Sequence, residues 1–371
     1  MKSSLAPAAA PAFSLLIGFA AVSAFAQTPA PQAASPYTLT VFATAPPNLS
    51  APDSIAVVHD HVFVGYGDGH APDGSDGKNS QVVEFSMDGT VEHIYTVPGH
   101  SDGLKLDPIT QRLWALQNED ASPNVAIIDP KTRQQKVYQF ASTPHGGGYD
   151  DIVFRGCKIY ISASNPAANP NTGPAVVSVK LRDGVVQVES LLMGNAAAVD
   201  VLTGANITLN LQDPDSMTLD PLGNIVLDSQ GDQELIYVTH PGEPNQQALR
   251  LPLSFLSGNS AMPVETDDTA FVTSSQGFIL FADKSLNTVF KLTRTGFVPG
   301  SAYTAADGGP FVGTVDITSG IVTPVVTGIK NPGGMVYVDT SKRNGDSRND
   351  DRDHSDQDAD RCDRDDRDDR R

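Results

Sequence analysis

The chain has 371 residues, a formal net charge of −19, 39% hydrophobic residues, 32 glycines and 27 prolines. Such acidity repels phosphate backbones, so nucleic acid is excluded as a partner and cations or neutral small molecules are the natural ligands. The apolar content supports a real core, and the frequent Gly and Pro fit short strands joined by tight turns better than helices.

Residues 1–26 read as an export signal. Lys2 supplies the positive start, Phe13 to Ala24 the short apolar run, and Ala24-Phe25-Ala26 the cleavage site. A periplasmic or secreted, monomeric protein is expected. Residues 27–36 form a Pro/Ala-rich linker. No later stretch is long and apolar enough to cross a bilayer, so no membrane span is expected. Residues 341–371 are almost all Asp, Arg, Asn and Ser. Without apolar surface to bury, this tail is expected to be disordered and solvated. Of the two cysteines, Cys157 falls in an apparent strand and Cys362 in the tail. With no framework spacing, a buried thiol and an incidental one are expected rather than a bridge.

Residues 37–340 alternate in short apolar segments separated by Asp-Gly and Gly-Asn turns. Tyr37 to Phe42 is a first strand. Unit one then has strands at Ile55 to Val58, Val62 to Tyr66, Gln81 to Phe85 and Val91 to Val97. Unit two has Leu104 to Leu106, Arg112 to Leu116, Val125 to Ile128 and Gln135 to Phe140. Unit three has Ile152 to Phe154, Lys158 to Ser162, Ala175 to Leu181 and Val185 to Leu192. After an alternating insertion at Ala198 to Leu211, unit four has Met217 to Leu219, Asn224 to Leu227, Leu235 to Thr239 and Ala248 to Leu253. Unit five is read as Thr269 to Val272, Gly277 to Ala282 and Thr288 to Leu292. The stretch 293–327 is left to supply the middle of a last unit whose first strand is Gly333 to Val338.

Four strands per unit and a period of about 50 residues define an all-β β-propeller. Six blades are expected, with an incomplete closing blade shared between the two ends of the propeller segment and Tyr37 to Phe42 as its outer strand. A five-bladed ring is the alternative.

A short phrase precedes the first strand of each unit: Pro52-Asp53-Ser54, Ser101-Asp102-Gly103, Tyr149-Asp150-Asp151, Pro214-Asp215-Ser216 and Thr266-Asp267-Asp268. The sixth copy, Pro332-Gly333-Gly334, has lost the acid. In a propeller, the start of the inner strand and the loop between the second and third strands open on one face. Asp53, Asp102, Asp150, Asp215 and Asp267 should therefore converge there. The loops add Asp68, His70, Asn118, Glu119, Asp120, Asn165, Asp228, Asp232, Asp283 and Asn287. Five carboxylates around one axis need raised pKa values or a cation. Hard oxygen ligands on flexible loops favour a divalent metal, calcium above magnesium. The competing reading is that each Asp caps its own turn. The missing acid at Gly333 implies an open side where a small-molecule ligand or substrate approaches. His145, in the run Pro144-His145-Gly146-Gly147-Gly148, is a candidate acid/base or nitrogen ligand, and His100 is a weaker one.

The stretch Asp213 to Leu227 (Asp-Pro-Asp-Ser-Met-Thr-Leu-Asp-Pro-Leu-Gly-Asn-Ile-Val-Leu) resembles the repeat of gluconolactonase-like and NHL-type six-bladed propellers. His100 to Pro108 is a looser copy. In gluconolactonase-like lactonases an Asp of this phrase helps hold a divalent metal that polarises the lactone carbonyl. The resemblance implies Asp215 as such a ligand. That family also uses a Glu early in its first blade and an Asn in an earlier repeat, where this chain offers Asp53 and Asp150. Three functions follow as expectations. The first is a metal-dependent hydrolase of lactone or ester type with Asp215 and His145 as catalytic groups. The second is a non-catalytic ligand- or partner-binding propeller with structural calcium. The third is a metal-dependent lyase.

Overall fold

The computed structural model describes residues 29–341. The expected signal peptide and nearly all of the tail lie outside the described residues, as does Cys362. Every regular element named here is a β-strand, and no α-helix occurs among the described residues.

The strand pairings group into six four-stranded antiparallel sets. The first contains Pro52–Val58, His61–Tyr66, Asn79–Ser86 and Val91–Pro98. The second contains Ser101–Leu106, Leu113–Gln117, Asn124–Asp129 and Gln134–Phe140. The third contains Ile152–Arg155, Lys158–Ser162, Pro174–Arg182 and Val185–Met193. The fourth contains Pro214–Leu219, Ile225–Ser229, Glu234–Thr239 and Gln247–Pro252. These follow the sequence units closely, because apolar alternation and turn residues agree at each boundary.

The last two sets interleave, and here the sequence reading is corrected. Thr269–Phe271 pairs with Ala302–Ala306, and Phe311–Val315 and Ile321–Thr327 complete that sheet. The hairpin Gly277–Asp283 and Thr288–Thr293 instead joins Pro332–Asp339 and the N-terminal strand Thr38–Thr44. Two contacts decide this. A Cβ on Gly277 would sit 2.3 Å from the Val338 carbonyl oxygen, so glycine alone lets the hairpin pack on the last strand. The buried Asp283 carboxylate also accepts the amides of Lys330 (2.7 Å) and Asn331 (3.3 Å), tying the hairpin to the segment entering that strand. Strand alternation cannot distinguish two equivalent hairpins. The N-terminal strand closes the sheet that begins with the C-terminal one, as expected, which covers two edges at once.

The inner strands touch in ring order, and the last touches the first. One apolar cluster lies between each pair of neighbouring sets. Between the last and first sets, for example, Ile55, Val64 and Phe85 pack on Phe278, Leu280 and Val338. Each fully buried Phe, Leu or Val contributes about 1.5–3 kcal/mol, and no single sheet can bury both its faces alone. The architecture is a β-propeller.

Smaller additions dress the rim. Ala197–Asp200 and Asn206–Thr208 extend the fourth set, and Ser254–Ser257 and Ser260–Pro263 extend the fifth. Within the expected linker, Gln32–Ala33 pairs with Thr327 and Val326. Cys157 is neither buried nor in a strand. It occupies the exposed turn after Ile152–Arg155 and is disulfide-bonded, which overturns the expectation of a free, buried thiol.

Candidate functional site

In four copies the repeated phrase sits on a β-bulge, while Asp150-Asp151 and Asp267-Asp268 lie just ahead of their inner strands. In the first set the pairing jumps from Pro52–Tyr66 to Ile55–Val64, leaving Asp53 and Ser54 opposite one residue. The same jump isolates Asp102 and Gly103, Asp215 and Ser216, and Gly333 and Gly334. A bulge takes two side chains out of the pleat and re-aims them. The two positions then do different work.

Acids at the second position stitch inner strands together. Asp151 Oδ2 accepts the Met217 amide (2.9 Å) and the Lys105 ammonium (2.9 Å). Asp268 Oδ2 accepts the Met335 amide (2.7 Å). Burial holds the Asp268 pKa at about 7, with Lys105 pulling it down and Asp151 pushing it up. The sequence reading passed over both residues. The doubled Asp in Tyr149-Asp150-Asp151 and Thr266-Asp267-Asp268 was the available signal.

Acids at the first position form an asymmetric ring of two halves. In one half, Lys284 Nζ lies 3.0 Å from Asp53 Oδ2 and 2.9 Å from Asp267 Oδ2. Burial lifts the Asp267 pKa to about 8 despite the ammonium beside it, and the Asp53 charge adds to the lift. Lys284 directly follows Asp283, and its side chain passes over Gly333. A Cβ on Gly333 would lie 2.6 Å from Lys284 Cε and 2.8 Å from Asp53 Oδ1. The position without an acid is thus filled by a lysine, and the expected open side is not there.

In the other half, one ligand oxygen each from Asp102, Glu119 and Asp150 lie within 4.8 Å of one another. Asp102 is 6% exposed, and its Oδ2 is buried without a hydrogen-bond partner. Among the described residues, no Lys or Arg forms a salt bridge with this trio or with Asp215. Burial, then the charges of Glu119 and Asp53, holds Asp102 well above the usual carboxylate range. Asp150 is lifted in the same way by burial and then by Asp102, Asp215 and Glu119. Asp215 is partly exposed and within hydrogen-bonding reach of Asp150. Its pKa is raised by burial and then by Asp267. The donor set is all carboxylate oxygen, the chemistry of a hard divalent cation. These acidic groups can hold a metal ion.

Glu119 is the member that the sequence reading placed on the correct face without singling it out. Its aim comes from Asn118, which adopts φ 64°, a left-handed conformation that Asn tolerates better than most residues. The Asn118 side chain accepts the His100 amide (2.9 Å) and donates to the Ser122 carbonyl (3.1 Å), clamping the loop.

His145 does not reach the acids by any hydrogen bond or ion pair found here. It is 4% exposed, and its Nε2 donates to the Gly148 carbonyl at 2.6 Å. Burial lowers its pKa. It pins the turn Gly146–Gly148 against the neighbouring loop, so tightly that a Cβ on Gly148 would lie 2.3 Å from the Glu119 carbonyl oxygen. Several loop acids serve as caps. Asp232 accepts the Gln212 amide (2.7 Å) and the Ser229 hydroxyl (2.7 Å), and Asp68 accepts the Ser50 amide (2.6 Å). Both proposed roles of Asp, capping and ring formation, thus occur at different positions.

A second His/acid group lies at the far end of the first hairpin. His61 Nε2 is 3.0 Å from Glu92 and 3.8 Å from Glu84, and its Nδ1 is 3.0 Å from Asp60. Carboxylates already face both ring nitrogens.

No known protein family and no curated protein matches the chain's sequence. Among solved structures it is similar to virginiamycin B lyase from Staphylococcus aureus, at 10% identity and TM-score 0.45, over 78% of this chain and 87% of that one. It is also similar to a provisionally assigned 6-phosphogluconolactonase from Bacteroides fragilis, at 12% identity and TM-score 0.43, over 82% and 83%. A protein of unknown function from Bacteroides caccae gives 7% identity and TM-score 0.47, over 77% and 86%. These likenesses concern overall shape and assign nothing to the site.

Proposed function

We propose that this is an exported propeller whose Asp102–Glu119–Asp150 half binds one divalent cation, calcium by preference, and that it hydrolyses a lactone or ester there. The observation that carries the reading is the buried, unpartnered Asp102 Oδ2 facing two further carboxylates. Such a group is costly to leave bare, and either a proton or a cation relieves it. Calcium accepts six to eight oxygens at about 2.3–2.6 Å in flexible geometry, which suits a site built partly from loops.

When bound, the cation would polarise a carbonyl oxygen and favour attack on it. The remaining work falls to the chain. Asp102 and Asp150 hold the charge below the surface. Asp215, exposed enough to meet water and with its pKa raised by burial and then by Asp267, accepts the proton of the attacking water. His145 keeps the glycine turn against Glu119.

Calcium titration of chelator-treated protein by calorimetry, beside a broad lactone and ester panel, tests this. One bound ion and chelator-sensitive turnover, both lost in Asp102→Asn, are expected. Absence of metal-dependent turnover on the panel removes the hydrolase reading. Ion binding without turnover supports the second reading, a ligand-binding propeller with structural calcium, which the deep burial of Asp102 and Asp150 favours.

A further inference from the structure

The ring loses its acid at Gly333 and gains an ammonium at the same place. Lys284 Nζ sits between carboxylates from the first and fifth sets, at 3.0 and 2.9 Å, while the sixth set between them contributes none. The lysine is held from both ends. Its amide donates to the Asn331 carbonyl at 2.8 Å, and the preceding Asp283 is buried and fixed by backbone amides. At its far end the absent Cβ of Gly333 leaves the channel through which the side chain crosses. Even alanine at 333 would press on Lys284 Cε and on Asp53 Oδ1. The same ammonium acts on Asp102 only as a charge beyond contact, and among the described residues no Lys or Arg forms a salt bridge with Asp102, Glu119 or Asp150.

We propose that Lys284 is a tethered counter-cation that keeps metal out of the Asp53–Asp267 half, so that the ring takes one divalent ion instead of two. The single ion of the parent rests on the reading given above; the exclusion of a second does not. Without the ammonium, two carboxylates would face each other across the space it fills. Oxygens about 3 Å from a shared nitrogen need close by only a few tenths of an ångström to meet a calcium ion. Lys284 is therefore a specificity-determining residue for ion number, and Gly333 is its positioning partner.

The test counts calcium ions bound to the full chain by equilibrium dialysis with radioactive calcium. Parent, Lys284→Met and Lys284→Arg are compared, with folding checked by circular dichroism. One ion is expected for the parent and for Lys284→Arg, and two for Lys284→Met. If Lys284→Met gains no ion, the proposal is overturned. If the parent binds none and Lys284→Met binds one, the tethered counter-cation stands and the parental site fails. Should Lys284→Met not fold, Asp267→Asn in the otherwise unaltered chain decides. It is expected to change calcium affinity by no more than about threefold, through the loss of a distant charge. A loss of about 100-fold or more would make Asp267 a ligand and contradict the exclusion.

Discussion

The two halves of the acidic ring are built from the same repeated phrase and differ in how their charge is met. Around Asp53 and Asp267, the chain supplies its own cation, and both carboxylates are paired. Around Asp102, Glu119 and Asp150, no Lys or Arg among the described residues makes a salt bridge, Lys284 acts on Asp102 only from beyond contact, and an Asp102 oxygen is left buried without a hydrogen-bond partner. A symmetric architecture thus becomes an asymmetric site through two changes, Asp to Gly at 333 and a lysine at 284. The general lesson concerns repeat proteins. The repeat marks where a functional face lies, and departures from the repeat mark what that face does.

The sharpest way to break this contrast is to remove one acid from each half. Asp102→Asn should weaken calcium binding by about 100-fold or more in a calorimetric titration, because it removes one of three charged ligands. An unchanged affinity would move the ion elsewhere in the ring.

Stability should respond with opposite signs. In chelator at pH 8, Lys284→Met should lose about 3–5 kcal/mol in urea denaturation, since it leaves two buried carboxylates without their partner. Asp102→Asn should instead gain stability there, because it removes a charge that burial and Glu119 disfavour. Equal signs would erase the distinction between the halves.

Gly148→Ala probes how the bare half is shaped. The added methyl meets the Glu119 carbonyl oxygen at 2.3 Å, so backbone must shift. Calcium affinity should fall by about tenfold, with thermal stability lower by about 1–3 kcal/mol. An unaffected affinity would show that Glu119 is not held by this turn.

The smallest effect is the slope with pH. Asp267 and Asp268 have folded-state pKa values raised to about 8 and about 7. Between about pH 5 and 8 the folded chain retains protons that the unfolded chain has released, so metal-free stability should fall as pH rises. Calcium should flatten this slope, and its own binding should weaken on acidification as protons compete for the same oxygens. Denaturation midpoints at several pH values, with and without calcium, measure both trends.

Much of the fold was legible in the sequence because local signals agreed. In the first four sets, turn residues, apolar alternation and the Asp phrase all point to the same boundaries. The agreement ends at Gly277. There the hairpin's alternation fits either neighbouring sheet, and only long-range contacts, Gly277 with Val338 and Asp283 with Lys330 and Asn331, select one. The site divides similarly. Asp53, Asp102, Asp150, Asp215 and Asp267 are visible as a periodic series. Glu119 is not periodic, and its importance depends on the left-handed turn at Asn118. Lys284 is invisible as a counter-ion because its partners stand 17 residues before it and in another sheet altogether. His145 was conspicuous beside three glycines, yet its ring bonds to the turn it follows into.

The most direct measurement is anomalous diffraction from crystals of the full chain grown with calcium and with manganese in its place. One peak is predicted within about 2.6 Å of carboxylate oxygens from Asp102, Glu119 and Asp150, with Lys284 still lying between Asp53 and Asp267. A peak between Asp53 and Asp267, or none on the axis at all, would contradict the account.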